Sequence, residues 1–322
     1  MDDIDRYSEM ILEKLEGYQF STFKIGSTFW EELLKHEKNI HTMLGVESES
    51  LKKEFNREVG KVVSLSRNAT FEPSSPEMDV LVDTRYDSVS IRPKSVYVYG
   101  VYRKRVRGIP QTRWIHDPGN GETVESLIGE PLRNMLDGRK YYLHGAGRED
   151  VDVRMLGNGR EFVIEISEPK RRDVDLKLLR TEVNRSGKVW IAKLRSCDRD
   201  TVVRVKNSRH DKRYRVVVAS ESNIDRKRFQ EAMDSIIAKD IYQRTPLRVS
   251  HRRADLIRVR HIRDPKILSL KGKRARIELT AEAGTYIKEL ISGDSGRTKP
   301  SLTSEYGDSL RVSSLDVIWI YR

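Results

Sequence analysis

From Asp79 onward the chain is written largely with a period of two. Asp79-Val-Leu-Val-Asp83, Ser88-Val-Ser-Ile-Arg92 and Ser95-Val-Tyr-Val-Tyr-Gly-Val-Tyr102 alternate apolar with polar or aromatic residues, which sends successive side chains to opposite faces of a strand. Residues 213–219, 246–263, 273–281 and 311–321 supply further strands. Sheet therefore dominates most of the chain. The first 76 residues read differently. Ile4, Tyr7, Ile11 and Leu15 recur at helical spacing with Gly17 placed as a C-cap, a strand covers Phe20–Phe29, and two further helical stretches begin at Trp30 and at residue 51. Val62-Val63-Ser64-Leu65 reads as a short strand.

Glu72-Pro73-Ser74-Ser75-Pro76 separates these two styles, because two prolines and two serines disfavour both helix and sheet. The expected division is thus a small mixed domain over 1–76 and a larger one over 77–322. Within the larger part, Val151–Leu156, Gly157-Asn158-Gly159-Arg160 and Glu161–Ile166 read as a hairpin closed by an Asn-Gly turn. Residues 201–206 and 213–219 read as another strand pair. Ser222-Asn-Ile-Asp225 resembles a capping box that opens a helix with the stripe Phe229, Met233, Ile236 and Ile237.

Charge narrows the function classes. Lys and Arg number 61 against 49 Asp and Glu, a net of +12, which favours a polyanionic partner, nucleic acid ahead of a membrane surface. The first 76 residues hold 10 basic and 14 acidic side chains, a net of −4, which leaves +16 for the rest. The polyanion is expected on the larger domain. A single cysteine, Cys197, excludes an internal disulfide and Cys-x-x-Cys zinc clusters. With an acidic N-terminus and no run of 18 uncharged apolar residues, a soluble cytoplasmic protein without membrane contact is expected.

The densest group of reactive side chains is His144-Gly-Ala-Gly-Arg-Glu-Asp150-Val-Asp152-Val-Arg154. Small residues before a strand let backbone pass close to a ligand, and Asp150 falls where that loop meets the strand. Alternation makes Asp152 an ion-pair partner rather than a reacting group. Hard oxygen ligands for Mg²⁺ would also be available here, as in a phosphodiester-cleaving enzyme, but the surrounding arginines and lysines serve a cation poorly.

Gly147-Arg148-Glu149-Asp150 resembles the Gly-Arg-x-Asp core of pseudouridine synthases. Tyr99–Trp114, His144–Arg160, Pro246–Asp255 and Gly284–Thr298 resemble, in order, motifs of the archaeal and eukaryotic tRNA pseudouridine-54/55 synthase family, the tenth of the Pus-named enzymes. The resemblance spans roughly 95–322. It implies an α+β chain: a pseudouridine synthase fold, with a mostly antiparallel mixed sheet and flanking helices, joined to a small N-terminal accessory domain of THUMP type. It implies isomerisation of uridine to pseudouridine in the T arm of tRNA, at position 55 and possibly 54, with no cofactor and no metal. By the same resemblance Asp150 is catalytic, Tyr214 stacks on the base, Lys288 is the basic partner, Ile287 and Leu315 line the pocket with Tyr286 beside them, and Arg148 lies near the displaced base. Zinc-binding cysteines of archaeal relatives have no counterpart before Cys197. Arg248, Arg252 and Arg253, continued by Arg258, Arg260 and Arg263, are expected to follow phosphates, with Lys170-Arg171-Arg172 and Arg103-Lys104-Arg105 adding to the patch. The competing reading from another class is a non-catalytic tRNA-binding or chaperone protein.

Overall fold

A computed structural model describes residues 2–45, 48–113 and 121–322; Trp114, the end of one motif, lies outside them. The chain divides into two compact units: residues 1–97, 129–142 and 165–175, and residues 98–128, 143–164 and 176–322.

The first unit starts with α1 (Asp2–Lys14), β1 (Thr22–Thr28), α2 (Glu31–Leu44) and α3 (Leu51–Arg67). It continues with β2 (Thr70–Phe71), β3 (Met78–Asp83) and β4 (Ser88–Pro93). These strands form one sheet in the order β2-β1-β3-β4, with β1 parallel to both neighbours and β3 antiparallel to β4. Tyr7 and Ile11 of α1, Leu15 just after it, and Phe55, Val59 and Val63 of α3 are buried in one core with Phe23 and Val80 of the sheet, each such side chain contributing about 1.5–3 kcal/mol. Val62–Leu65 is thus helix, not strand: spacing four apart from Phe55 through Val63 gives α3 a buried face that outweighs local β-propensity. The Pro/Ser segment at 72–76 connects β2 to β3 inside this sheet. The first unit therefore runs past the boundary expected at residue 76, because β3 and β4 supply half of its sheet.

The elements that follow are β5 (Val96–Lys104), α4 (Val124–Leu136), β6 (Lys140–Gly145), β7 (Val153–Ser167), α5 (Leu176–Arg185) and β8 (Val189–Cys197). Next come α6 (Arg199–Asn207), β9 (Lys212–Ser220), α7 (Arg226–Ile237), β10 (Ile241–Arg244) and a 3-10 helix over Leu247–Arg252. The chain ends with β11 (Ile257–Arg260), β12 (Ile262–Lys271), β13 (Arg274–Ala281), α8 (Ile287–Ser292), β14 (Thr298–Lys299), α9 (Leu302–Tyr306) and β15 (Leu310–Ile320). A mixed sheet of eight strands has the order β12-β13-β9-β15-β7-β5-β8, with β6 added on β7; β15 is parallel to β7 and antiparallel to β9. A smaller antiparallel sheet joins β11, β10 and β14. The stretch 246–263 thus holds a 3-10 turn between short strands rather than continuous strand.

Three local expectations are corrected. The 151–166 hairpin does not form: β7 is one strand of 15 residues. Gly157 and Gly159 do take positive φ, 58° and 76°, but to let neighbouring strands close in. A Cβ on Gly157 would sit 1.8 Å from the Ile318 carbonyl oxygen, and one on Gly159 2.9 Å from that of Tyr102, so these glycines serve close backbone approach and not a turn. Residues 201–206 lie in α6, whose N-cap Asp198 accepts the Thr201 amide at 2.8 Å. The cap of α7 is Asp225, which accepts the Arg228 amide, and not Ser222.

Gly157→Ala is expected to cost at least about 3 kcal/mol, the upper end for a strained residue, because adjacent backbone must also move. Gly187, with φ 66° and open space around it, should lose only about 1 kcal/mol on the same change. Urea midpoints of the two variants check this; equal shifts would contradict the close-approach account.

Candidate active site

In the second unit, the loop before β7 folds over a fully buried polar cluster. The Glu149 carboxylate makes an ion pair with Arg160 at 3.0 Å, both side chains at most 2 % exposed, and it accepts the Tyr102 hydroxyl at 2.8 and 2.9 Å. Gln111 Nε2 donates to that hydroxyl and to the Gly147 carbonyl, and Arg160 donates to the carbonyl of Ala146. Charges taken this far from water are tolerated only when paired and hydrogen-bonded, so the loop has one low-energy path. Lys104, also fully buried, donates to the carbonyls of Ile109 (2.8 Å), Asp150 (3.0 Å) and Val151 (3.2 Å). Burial pushes its pKa below the usual lysine range, against the pull of Glu149. Lys104 therefore anchors the backbone of the loop at Asp150 and Val151 and does not belong to the basic surface where the sequence put it. Arg103 lies against the Trp190 ring, 4.6 Å from its centroid.

Above this cluster opens a cavity of about 300 Å³. Asp150, Tyr214, Lys288, Ile287, Leu315 and Arg148 all line it, so the residues taken from widely separated motifs meet in one place. Sheet register explains how. Tyr214 pairs with Val317 across β9 and β15, Val317 with Met155 across β15 and β7, and Leu315 with Val153 one step along. Lys288 arrives on the first turn of α8, where Gln243 holds Tyr286 by accepting its amide (2.9 Å) and donating to its carbonyl (3.0 Å). Arg148 is exposed at the rim.

Electrostatics inside the cavity differ from the sequence expectation. Lys288 Nζ lies 3.3 Å from Asp150 but 2.8 Å from both oxygens of Asp152. Burial opposes the charge on Asp152, yet Lys288 outweighs it and holds that carboxyl below its usual range. Arg248, expected on phosphates, instead donates to Asp150 at 3.1 Å and to Glu289 at 2.6 Å. Burial pushes the Tyr214 phenol up to about 12, Arg160 opposing; it stays protonated at neutral pH, suited to stacking and donating rather than to taking a proton. Burial and Arg160 together lower Lys212, another wall residue, to about 8.

Arg253 lines the same cavity, and Arg252 ends the 3-10 helix that carries Arg248. Arg263, of the run that follows, pairs with Asp211 at 2.7 Å and Arg258 donates to Thr245 at 3.1 Å, whereas residues 170–172 lie in the first unit. Lys170 pairs with Asp137 at 3.2 Å, Arg172 with Glu77 at 3.2 Å, and Arg171 is exposed. Tyr102, Gln111 and Arg160 were assigned no role from sequence, and Lys104 only one on the basic patch, although all four lie inside the motifs that carry the resemblance. No group of acidic, histidine or cysteine side chains suited to a metal ion occurs among the described residues, and no helix there is long and apolar enough to cross a membrane.

Amine-selective labelling of Lys212 should rise with a midpoint near pH 8, where about half of it is neutral, while surface lysines rise above pH 10. Peptide mass spectrometry across a pH series reads this; a Lys212 midpoint above 10 would contradict the cavity electrostatics.

Comparison with known proteins places these features. Residues 97–321 match the family described as Pus10, C-terminal, and residues 7–83 that described as Pus10 THUMP domain, archaeal. The tRNA pseudouridine synthase Pus10 of Thermoplasma acidophilum is 46% identical over 100% of this chain and 82% of its own length. That of Picrophilus torridus is 48% identical over 99% of this chain and 83% of its own, and that of Archaeoglobus fulgidus 41% over 98% and 92%. Matched along both units and at this identity across its length, the chain belongs to the Pus10 family.

Proposed function

We propose that this chain isomerises uridine to pseudouridine in the T arm of tRNA, at position 55, with Asp150 as the catalytic carboxylate. The family supports the tRNA pseudouridine synthase activity. The observation that carries the assignment to residues is the convergence of Asp150, Tyr214, Lys288 and Leu315 on one cavity, of a size that suits a small ligand such as a single base.

The reaction breaks the N1–C1′ bond, turns the freed base, joins C5 to C1′, moves the C5 proton away and leaves a proton on N1. One carboxylate must act at the sugar or the ring, and Asp150, partly exposed at the floor of the cavity, is placed for it. Tyr214 gives the base a flat surface on which to stack once displaced. Ile287 and Leu315 close the apolar sides, and both are nearly buried. Unstacking a uridine from a folded arm costs a few kcal/mol, which contacts to the backbone of the RNA offset. The +16 charge of residues 77–322 favours those contacts, with Arg148 and Arg253 nearest the site. No step requires a metal or cofactor. The protein is expected to act in the cytoplasm.

Asp150→Asn should abolish pseudouridine formation in an unmodified tRNA transcript while changing tRNA affinity by less than about twofold. Nucleotide-resolution mapping after incubation with the wild-type protein should find pseudouridine at 55, alone or together with 54. Modification elsewhere would overturn the T-arm reading, and an active asparagine variant would overturn the residue assignment. Tight binding without turnover by the wild type would favour the non-catalytic reading.

A further inference from the structure

The catalytic carboxylate needs a cation to hold it, and the lysine at the expected position is shared between two acids. Both short contacts of Lys288, at 2.8 Å, go to Asp152, leaving Asp150 at 3.3 Å. The group hydrogen-bonded to Asp150 is Arg248, whose Nη1 lies 3.1 Å from one carboxylate oxygen and 3.0 Å from the other. The rest of that guanidinium points away from Asp150. Its Nε lies 2.6 Å, and its Nη2 3.4 Å, from the carboxylate of Glu289 on α8.

Glu289 is 4 % exposed. A carboxylate buried to that extent is costly unless it is paired, so Arg248 is fixed at one end by the need to neutralise it. The backbone under Arg248 is fixed as well. Val249 is buried, and the Leu247 amide donates to Asp294 at 3.1 Å. Burial works against the charge on Arg248, but Glu289 and Asp150 outweigh it and its pKa stands above the usual arginine value. A planar guanidinium with its donors in a rigid fork can span two carboxylates in a set geometry, which a lysine ammonium cannot.

We propose that Arg248, anchored by Glu289, is the positioning residue that orients Asp150 for reaction, and that it is not a phosphate contact. The proposal rests on the reading of Asp150 as catalytic. Its consequence is that α8 governs the reactive carboxylate twice, through Lys288 directly and through Glu289 by way of Arg248, while Asp152 draws Lys288 aside.

The test uses the full chain and unmodified tRNA transcript, with three readouts: single-turnover rate at saturating tRNA, tRNA affinity, and thermal melting. Arg248→Ala should lower the rate about 100-fold, the scale of a misplaced reacting group, and leave affinity within about threefold. Arg248→Lys should recover little of the rate, and millimolar guanidinium ion should restore part of it to the alanine variant. Glu289→Gln should lower the rate in the same sense with affinity kept. If single variants melt early, Arg248→Met combined with Glu289→Leu removes both charges together, a change that often leaves stability intact, and it too should fold and react slowly. A tenfold loss of affinity with an unchanged saturated rate would overturn the proposal in favour of a phosphate contact. So would full activity in the folded double variant. Activity of Asp150→Asn, in contrast, would remove the underlying assignment rather than the role of Arg248.

Discussion

Glu149 and Arg160 form a buried ion pair in the loop that carries Asp150, the carboxylate proposed to react. Removing one member of such a pair typically costs about 3–5 kcal/mol, because the other is left charged and unpaired. That penalty ties loop geometry to overall stability: a path for residues 145–150 that abandons Ala146 or Gly147 gives up their hydrogen bonds to Arg160 and Gln111. Lys104 extends the constraint by gripping the carbonyls of Asp150 and Val151. The position of one solvent-reachable carboxylate is thus tied to the buried side chains of Glu149, Arg160, Gln111 and Lys104 around its loop.

Around that carboxylate the charges are nearly balanced. Asp150, Asp152 and Glu289 face Lys288 and Arg248, so no cation in the group is spare and each acid has a fixed partner. Such a closed arrangement suits a reaction in which a base is cut from its sugar and rejoined without leaving the site. Ile287, Leu315 and the protonated Tyr214 add apolar and aromatic lining to the same cavity.

Much of this was legible in the sequence, for identifiable reasons. Alternation located the strands on both sides of Tyr214 and Leu315, and a small-residue loop before a strand marked Asp150. What escaped depended on partners distant in the chain. Gly157 and Gly159 carry a turn signal, yet their glycines are needed because β15 and β5 approach closely, a fact written nowhere near Asn158. Thr201–Lys206 has the β-branched content of a strand, but the Asp198 cap and the buried Val202 and Val205 make it a helix. Arg248 looked like one more cation in a basic run because Glu289 lies 41 residues away. Lys104 looked the same between two arginines, although it alone of the three is fully buried.

The most direct measurement follows the C5 hydrogen itself. Isomerisation must release it, because C5 takes up the bond to the sugar, whereas binding, unfolding or cleavage of the RNA leaves it in place. A tRNA transcript carrying tritium only at C5 of the uridine at position 55, incubated with excess protein, should release its label to water completely. Retention of that tritium in RNA fully bound by the protein would contradict the account.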